Sequence, residues 1–210
     1  RIALVLDRSS SIGVGDFNGN QDNVNAVKFG AGALAASLKG PNAFMDVYAF
    51  GSNANRINSA WLNLVDDNHV ALQQAAIAQT PFKTGQHNTD SGDLYPDGMA
   101  AGSEGLTNWE AALRLPLVSH NPAAGDPLPT AIIIFTDGEP TTNIAETNAA
   151  VAAGGTYAAA GNPGVDGTDQ DDLDAGYNMA NYARSLGVRV IPVAIGDYSG
   201  ANLQHMQTLA

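Results

Sequence analysis

"RIALVLDRSSS", residues 1–11, is an apolar run that stops at a carboxylate and a cluster of hydroxyls. Residues 2–6 are continuously apolar, whereas a strand with one wet face would alternate. The run therefore predicts a parallel strand covered on both faces, with Asp7, Ser9 and Ser11 at its carboxyl end. "TAIIIFTD" (130–137) and "VRVIPVAIG" (188–196) have the same β-branched, unbroken character. "FMDVYAFGS" (44–52) is mixed but strand-like, and "RINSAWLNL" (56–64) suits an edge strand.

Helical spacing fills the gaps. In residues 21–40, Val24, Val27, Ala31, Leu34, Ala35 and Leu38 recur every three or four positions, with Gly40 as a stop. Further helices are predicted over 67–79, from Thr107 to about Leu117 with Pro116 bending or ending it, and over 172–187 with Gly187 as terminator. Strands alternating with helices make the fold class α/β. The expectation is a doubly wound, mostly parallel central sheet flanked by helices. Residues 1–210 are expected to form one domain, with insertions at about 80–106 and 140–171 rich in Gly, Asp and Thr. Aperiodic stretches this long often carry function, and a short helix near 144–153 is the plainer alternative. Residues 201–209 look like a helix just begun, so the last helix and strand of such a sheet are expected to lie outside the sequence. The start on a strand without Met points to a piece of a larger multidomain chain.

Composition narrows the function. The net charge is −12, with 9 Lys plus Arg against 21 Asp plus Glu. Nucleic acid and anionic membrane surfaces call for clustered basic charge, so neither is an expected partner. No apolar run approaches the roughly 20 residues of a membrane helix, so no direct membrane insertion is expected. The chain has no cysteine, which removes disulfides and thiolate chemistry. Low Lys with abundant Asn, Gly, Thr and Asp is a composition associated with bacterial extracellular proteins.

In an open parallel sheet, ligands bind beyond the carboxyl ends of the strands. Three polar clusters fall there: Asp7-Arg8-Ser9-Ser10-Ser11, Asp137-Gly138-Glu139, and Thr107-Asn108-Trp109-Glu110 at a loop-to-helix junction. Each has an ordinary reading taken alone. Asp7 and Ser9 suit a local turn, Thr107 and Glu110 a capping box, and Asp137-Gly138 a tight turn. Together, Asp7, Ser9, Ser11, Thr107 and Asp137 bring five oxygen-bearing side chains to one edge. Alternation turns the nearest cation, Arg8, away from Asp7. Oxygen donors without His or Cys suit a hard cation, Mg²⁺ before Ca²⁺ or Mn²⁺. Two carboxylates and three hydroxyls would leave that cation's charge incompletely balanced and open to a carboxylate from a partner.

These three segments, Asp7-x-Ser9-x-Ser11, "GLTNWEAAL" and "IIIFTDGEP", resemble the von Willebrand factor A and integrin I domains. In that family they form the metal-ion-dependent adhesion site. The resemblance extends from residue 1 to about 196. It implies that Ser9 and Ser11 bind Mg²⁺ directly, that Thr107 does so when ligand is bound, and that Asp7 and Asp137 act mainly through waters. A partner Glu or Asp would complete the shell. "TDGEPT" and the insertions look like those of bacterial surface and pilus-tip adhesins. The implied function is adhesion at a bacterial surface, cell wall or pilus, to a host or cell-surface protein or glycan, without enzymatic activity.

Two other functions compete. One is an intracellular docking subunit of an ATPase or metal-chelatase assembly. The other is a Mg²⁺-dependent phosphoryl-transfer enzyme with Asp7 as nucleophile, but its usual second Asp is here Ser9. Among secondary candidates, Asp16, Asn18, Asn20 and Asp22 alternate like the start of a calcium loop, yet Gln21 and Val27 stand where Gly and Glu belong. Asp166, Asp169, Asp171, Asp172 and Asp174 form an acidic run that favourable charge at a helix start explains, with a second Ca²⁺ site as the alternative. "GVGDFNG" lacks the spacing of a nucleotide-binding loop. His69, His87, His120 and His205 are scattered and read as ordinary surface residues. Trp109 and Trp61 read as core, and Tyr95 as a candidate ligand contact.

Overall fold

The computed structural model describes residues 1–9, 12, 22–58, 60–80, 106–146, 148, 170–196 and 200–210. The apolar runs form the strands the sequence predicts: β1 (Ile2–Asp7), β2 (Phe44–Phe50), β5 (Ala131–Thr136) and β6 (Arg189–Ala194). Their order is β2-β1-β5-β6, and every adjacent pair is parallel. The predicted edge strand over 56–64 is instead two short strands, β3 (Ala54–Arg56) and β4 (Leu62–Asn63), both antiparallel to β2. Between them the chain leaves β2 after Ile57 N–H donates to the Val47 carbonyl at 2.8 Å, and the Asn58 side chain donates to the buried Gln73 at 2.9 Å.

Strand periodicity divides the core into two layers. Ala3 and Val5 of β1, Tyr48 and Phe50 of β2, and Ile132 and Ile134 of β5 face one side. There they meet helices α3 (Trp109–Val118), α4 (Gln170–Ser185) and α5 (Gly200–Leu209). Leu4, Leu6, Met45, Val47, Ile133 and Phe135 face the other side, against α1 (Asp22–Ser37) and α2 (Asp67–Gln79). Both faces of β1 are thus covered, which is why its run is unbroken. Pro116 does not end α3. Its ring is buried and the helix continues to Val118. Gly187, at φ +77, follows α4 as the predicted stop. The residues 200–209 form a packed helix, with Met206 and Leu209 in the core.

The topology fixes one position above all. From β1 the chain crosses to β2 on one side and later returns to β5 on the other. In a sheet of this order the carboxyl ends of β1 and β5 stand at the switch point, where such folds form their ligand crevice. Asp7 ends β1 on one wall of it. Thr136 ends β5 on the other, with Asp137 following.

Candidate metal centre

Asp7 is completely buried. It shares the parity of Ala3 and Val5, so its carboxylate lies on the α3–α4 side of the sheet. One oxygen, Oδ1, accepts the backbone N–H of Ser9 at 2.8 Å, a local Asx turn. The other, Oδ2, accepts the hydroxyl of Thr136 at 2.6 Å across the crevice. The turn anticipated from Asp7 and Ser9 is real, and it coexists with the cross-strand contact. Ser9 is also buried, and its carbonyl accepts Ile12 N–H at 3.2 Å. Arg8 does point away: with the Asn55 amide oriented oxygen-inward, Arg8 Nη2 donates to it at 2.7 Å.

Thr107 reaches the same edge through a different device. A Thr107–Glu110 capping box does not form. The N-cap of α3 is Asn108, whose Oδ1 accepts Ala111 N–H at 2.9 Å, and Glu110 instead accepts Ile144 N–H at 2.9 Å. Capping therefore does not account for the Thr107 hydroxyl. It faces the loop after β5: a Cβ on Gly138 would lie 4.0 Å from Thr107 Oγ1. Asn108 also donates to the Ser52 carbonyl at 2.9 Å, and its own N–H donates to the Gly51 carbonyl at 3.1 Å. The loop after β2 thus holds the start of α3 in place.

Burial first, and the negative charge of Asp137 second, push the Asp7 carboxyl up to about 7. The hydrogen bonds from Thr136 and Ser9 act the other way. A buried carboxylate that feels the charge of a second one favours a proton or a cation. Among the described residues no group of three or more His, Cys, Asp or Glu could hold a metal. The candidate donor set contains two carboxylates, with hydroxyls for the remainder, and hydroxyl donors suit a hard divalent ion.

No protein-family model and no curated protein sequence matches the chain. Solved structures do. A von Willebrand factor type A protein from Catenulispora acidiphila superposes with TM-score 0.56 at 14% identity, covering 100% of this chain and 35% of that one. The chain has the von Willebrand factor type A fold. Proximal thread matrix protein 1 from the mussel byssus, in a form with a zinc-occupied MIDAS motif, gives TM-score 0.59 at 17% identity over 100% of this chain. The pilus adhesin SpaC from Lactobacillus rhamnosus GG gives TM-score 0.59 at 17% identity over 99%. This chain spans 40% of the byssus protein and 27% of SpaC. At these identities the likeness is one of fold.

Within that fold, Asp7, Ser9, Thr107 and the Asp137 loop lie along one sheet edge. Ser11 lies outside the described residues, as do the Asp16–Asn20 part of the alternating run, Asp166 and Asp169, His87 and Tyr95. Asp171, Asp172 and Asp174 stand in the first turns of α4, where Asp172 accepts Asn143 Nδ2 at 3.0 Å.

Three residues that sequence reasoning missed support the site. Thr136 was legible in principle, since it shares parity with Ile132 and Ile134 and so with Asp7. Asn108 carries an N-cap signature. Thr141 ends the "TDGEPT" stretch, and its hydroxyl accepts Thr107 N–H at 3.1 Å.

The reading of His120 as an ordinary surface residue is corrected. His120 is buried. Its Nε2 lies 2.9 Å from Tyr48 Oη, its Nδ1 lies 3.0 Å from Asp126, and its ring stacks on Trp61 with centroids 4.4 Å apart. Asp46, also buried, accepts from Tyr48 at 3.0 Å and from Arg56 Nε at 2.7 Å. This network ties β2, β3 and the loop after α3 together near the opposite end of the strands. His205 of α5 is half-buried and pairs with Glu139. His69 is more exposed and meets Asp66, the N-cap of α2.

Proposed function

We propose that this chain is a metal-dependent adhesion module of a bacterial surface protein, one domain of a longer chain. Mg²⁺ would be held by Asp7, Ser9, Ser11, Thr107 and Asp137, with Mn²⁺ or Ca²⁺ as substitutes. The observation that carries the reading is the crevice between β1 and β5. There the buried Asp7 accepts Thr136 from the far wall, while burial first and the charge of Asp137 second raise its pKa. The residues fit a divalent ion because the buried Asp7 feels the charge of Asp137, and the Thr107 hydroxyl lies near Gly138 of the same loop without capping a helix.

The ion, when bound, supplies a fixed positive charge that a partner's carboxylate can neutralise. The chain's own residues do the rest. Thr136 and the Ser9 N–H hold both oxygens of Asp7 in one orientation. The β2 loop and Asn108 seat Thr107. Burial of Asp7 and Ser9 excludes water that would otherwise screen the charges. No acid, base or nucleophile beyond these groups is required, which suits binding rather than catalysis. The likeness in fold to a byssus protein with a zinc-occupied MIDAS motif and to a pilus adhesin supports the reading. The partner would be a host or cell-surface protein or glycan presenting an acidic group.

Thermal melts in EDTA and in Mg²⁺ or Mn²⁺ test this. Metal should raise the melting temperature of the wild-type chain and leave Asp7→Ala unmoved. Identical melts of the wild type with and without metal would sink the metal site. Binding screens against glycans and matrix proteins, with and without EDTA, then address the partner.

A further inference from the structure

The segment that carries Thr107 is also joined to the segment after β5 through its backbone. Thr107 N–H donates to Thr141 Oγ1 at 3.1 Å, and Thr141 N–H donates to the Thr107 carbonyl at 2.8 Å. This is a reciprocal, two-point pairing between the segment before α3 and the segment after β5. Resting on the metal reading above, we propose that Thr141 is a positioning residue for the metal site, which sets the Thr107 hydroxyl against the strand-end loop bearing Asp137.

Thr107 and Asp137 come from segments far apart in sequence, so nothing local fixes their separation. Between Asp137 and Thr141 the chain runs through Gly138, Glu139 and Pro140, and Pro140 is buried with its φ restricted by its ring. That short, stiffened segment carries the Thr141 clamp back to Asp137. Glu110 reinforces it by accepting Ile144 N–H at 2.9 Å. On the far side of Thr107, Asn108 is anchored to Ser52. Thr107 therefore cannot shift relative to Asp137 without breaking the Thr141 pair. Thr107 is itself buried, so its N–H has little water to turn to if Thr141 Oγ1 is lost. Residues that orient metal ligands from behind typically change affinity when removed, even though they never touch the ion.

The test uses the whole 210-residue chain. Mn²⁺ binding is followed by the electron paramagnetic resonance signal of free Mn²⁺, well below the melting temperature. Thr141→Val keeps the branched shape and the backbone N–H but deletes the hydroxyl, and should weaken Mn²⁺ binding roughly tenfold. Thr141→Ser restores the hydroxyl and should return affinity to within about twofold of wild type, well inside one hydrogen bond's worth.

Wild-type affinity in Thr141→Val would overturn the proposal. So would equal weakening in Thr141→Ser, which would implicate the methyl group and not the bond. If the wild type binds no Mn²⁺ at all, the metal reading fails first and this proposal falls with it, a result distinct from the other two. Should Thr141→Val fail to fold, amide exchange in the wild type decides. Mg²⁺ should slow the Thr107 and Thr141 amides together, by roughly tenfold, as expected when ordering removes a local opening. Unchanged exchange at both would overturn the clamp.

Discussion

Thr136 Oγ1 donates to Asp7 Oδ2 at 2.6 Å, joining the ends of two adjacent parallel strands across the switch point of the sheet. With the Ser9 N–H on Oδ1 at 2.8 Å, both oxygens of a fully buried carboxylate are held. Fixed orientation in a dry place, with a second carboxylate nearby, is the condition under which a bound ion can be presented to another molecule.

Thr136→Val removes the only side-chain donor that the far wall is seen to offer Asp7 among the described residues. A buried acceptor that loses its partner costs about 1–3 kcal/mol. The denaturant midpoint of the metal-free domain should fall accordingly, with Thr136→Ser retaining most of the wild-type value. An unchanged midpoint for Thr136→Val would show that the bond contributes nothing net.

The metal-free domain should lose stability as pH rises from about 4 to about 7. The Asp7 carboxyl is raised from 3.8 to about 7 by burial and by Asp137. It binds its proton more tightly folded than unfolded. Its stabilising contribution is full below the unfolded value and gone once pH passes the folded one. Comparing wild type with Asp7→Asn across this range isolates the group from other carboxylates. In EDTA the difference should grow towards neutral pH in favour of Asn. Parallel curves would contradict the raised pKa.

Asp137→Asn should separate stability from function. Removing its charge relieves the repulsion on Asp7, so the metal-free melting temperature at pH 7 should rise. The increase in melting temperature on adding Mg²⁺ should shrink or vanish, since one carboxylate of the donor set is gone. A variant that is destabilised without metal and still responds fully to it would contradict both halves.

His120→Ala should be costly and yet leave the metal site alone. The substitution empties a buried position and strips partners from Tyr48, Asp126 and Trp61. A loss of about 2–4 kcal/mol is expected from the cavity and the lost hydrogen bonds. Asp46 lies beside Ala3, towards the start of β1, and Asp7 is at its end. Mn²⁺ affinity of the folded variant should therefore stay at the wild-type value. Unfolding curves and metal titrations on the same sample check the two together.

Much of the fold was legible because buried parallel strands advertise themselves as unbroken apolar runs, and β1 and β5 did so; β6 carries a similar run but is the edge strand of the sheet, with Ile191 exposed, so its burial on both faces is corrected. The 56–64 segment follows β2 closely and reads as one edge strand, but only Ala54–Arg56 and Leu62–Asn63 pair with β2 as strands. Thr107 and Glu110 suit a capping box by spacing, but the cap of α3 is Asn108. Adjacent polar residues at a helix start are hard to rank as caps, because the choice turns on which one lies in extended backbone. His120 looked like a surface residue because a lone polar residue near Pro and Asn resembles a loop. Its partners Tyr48, Asp126 and Trp61 come from three separate stretches of sequence.

The sequence by itself determined that both faces of the central strands are covered, and so that Asp7 and Asp137 stand at one edge of a parallel sheet. That follows from local physics: apolar continuity, helical period and the parity of side chains along a strand. Only the tertiary structure decided what holds those carboxylates. Thr136 meets Asp7 because β1 and β5 are neighbours, Asn108 meets Ser52 because the β2 loop folds over α3, and Thr141 meets Thr107 across the crevice. Each of these bonds joins residues whose separation along the chain carries no periodic signal, so their partners become visible only once the sheet order is set.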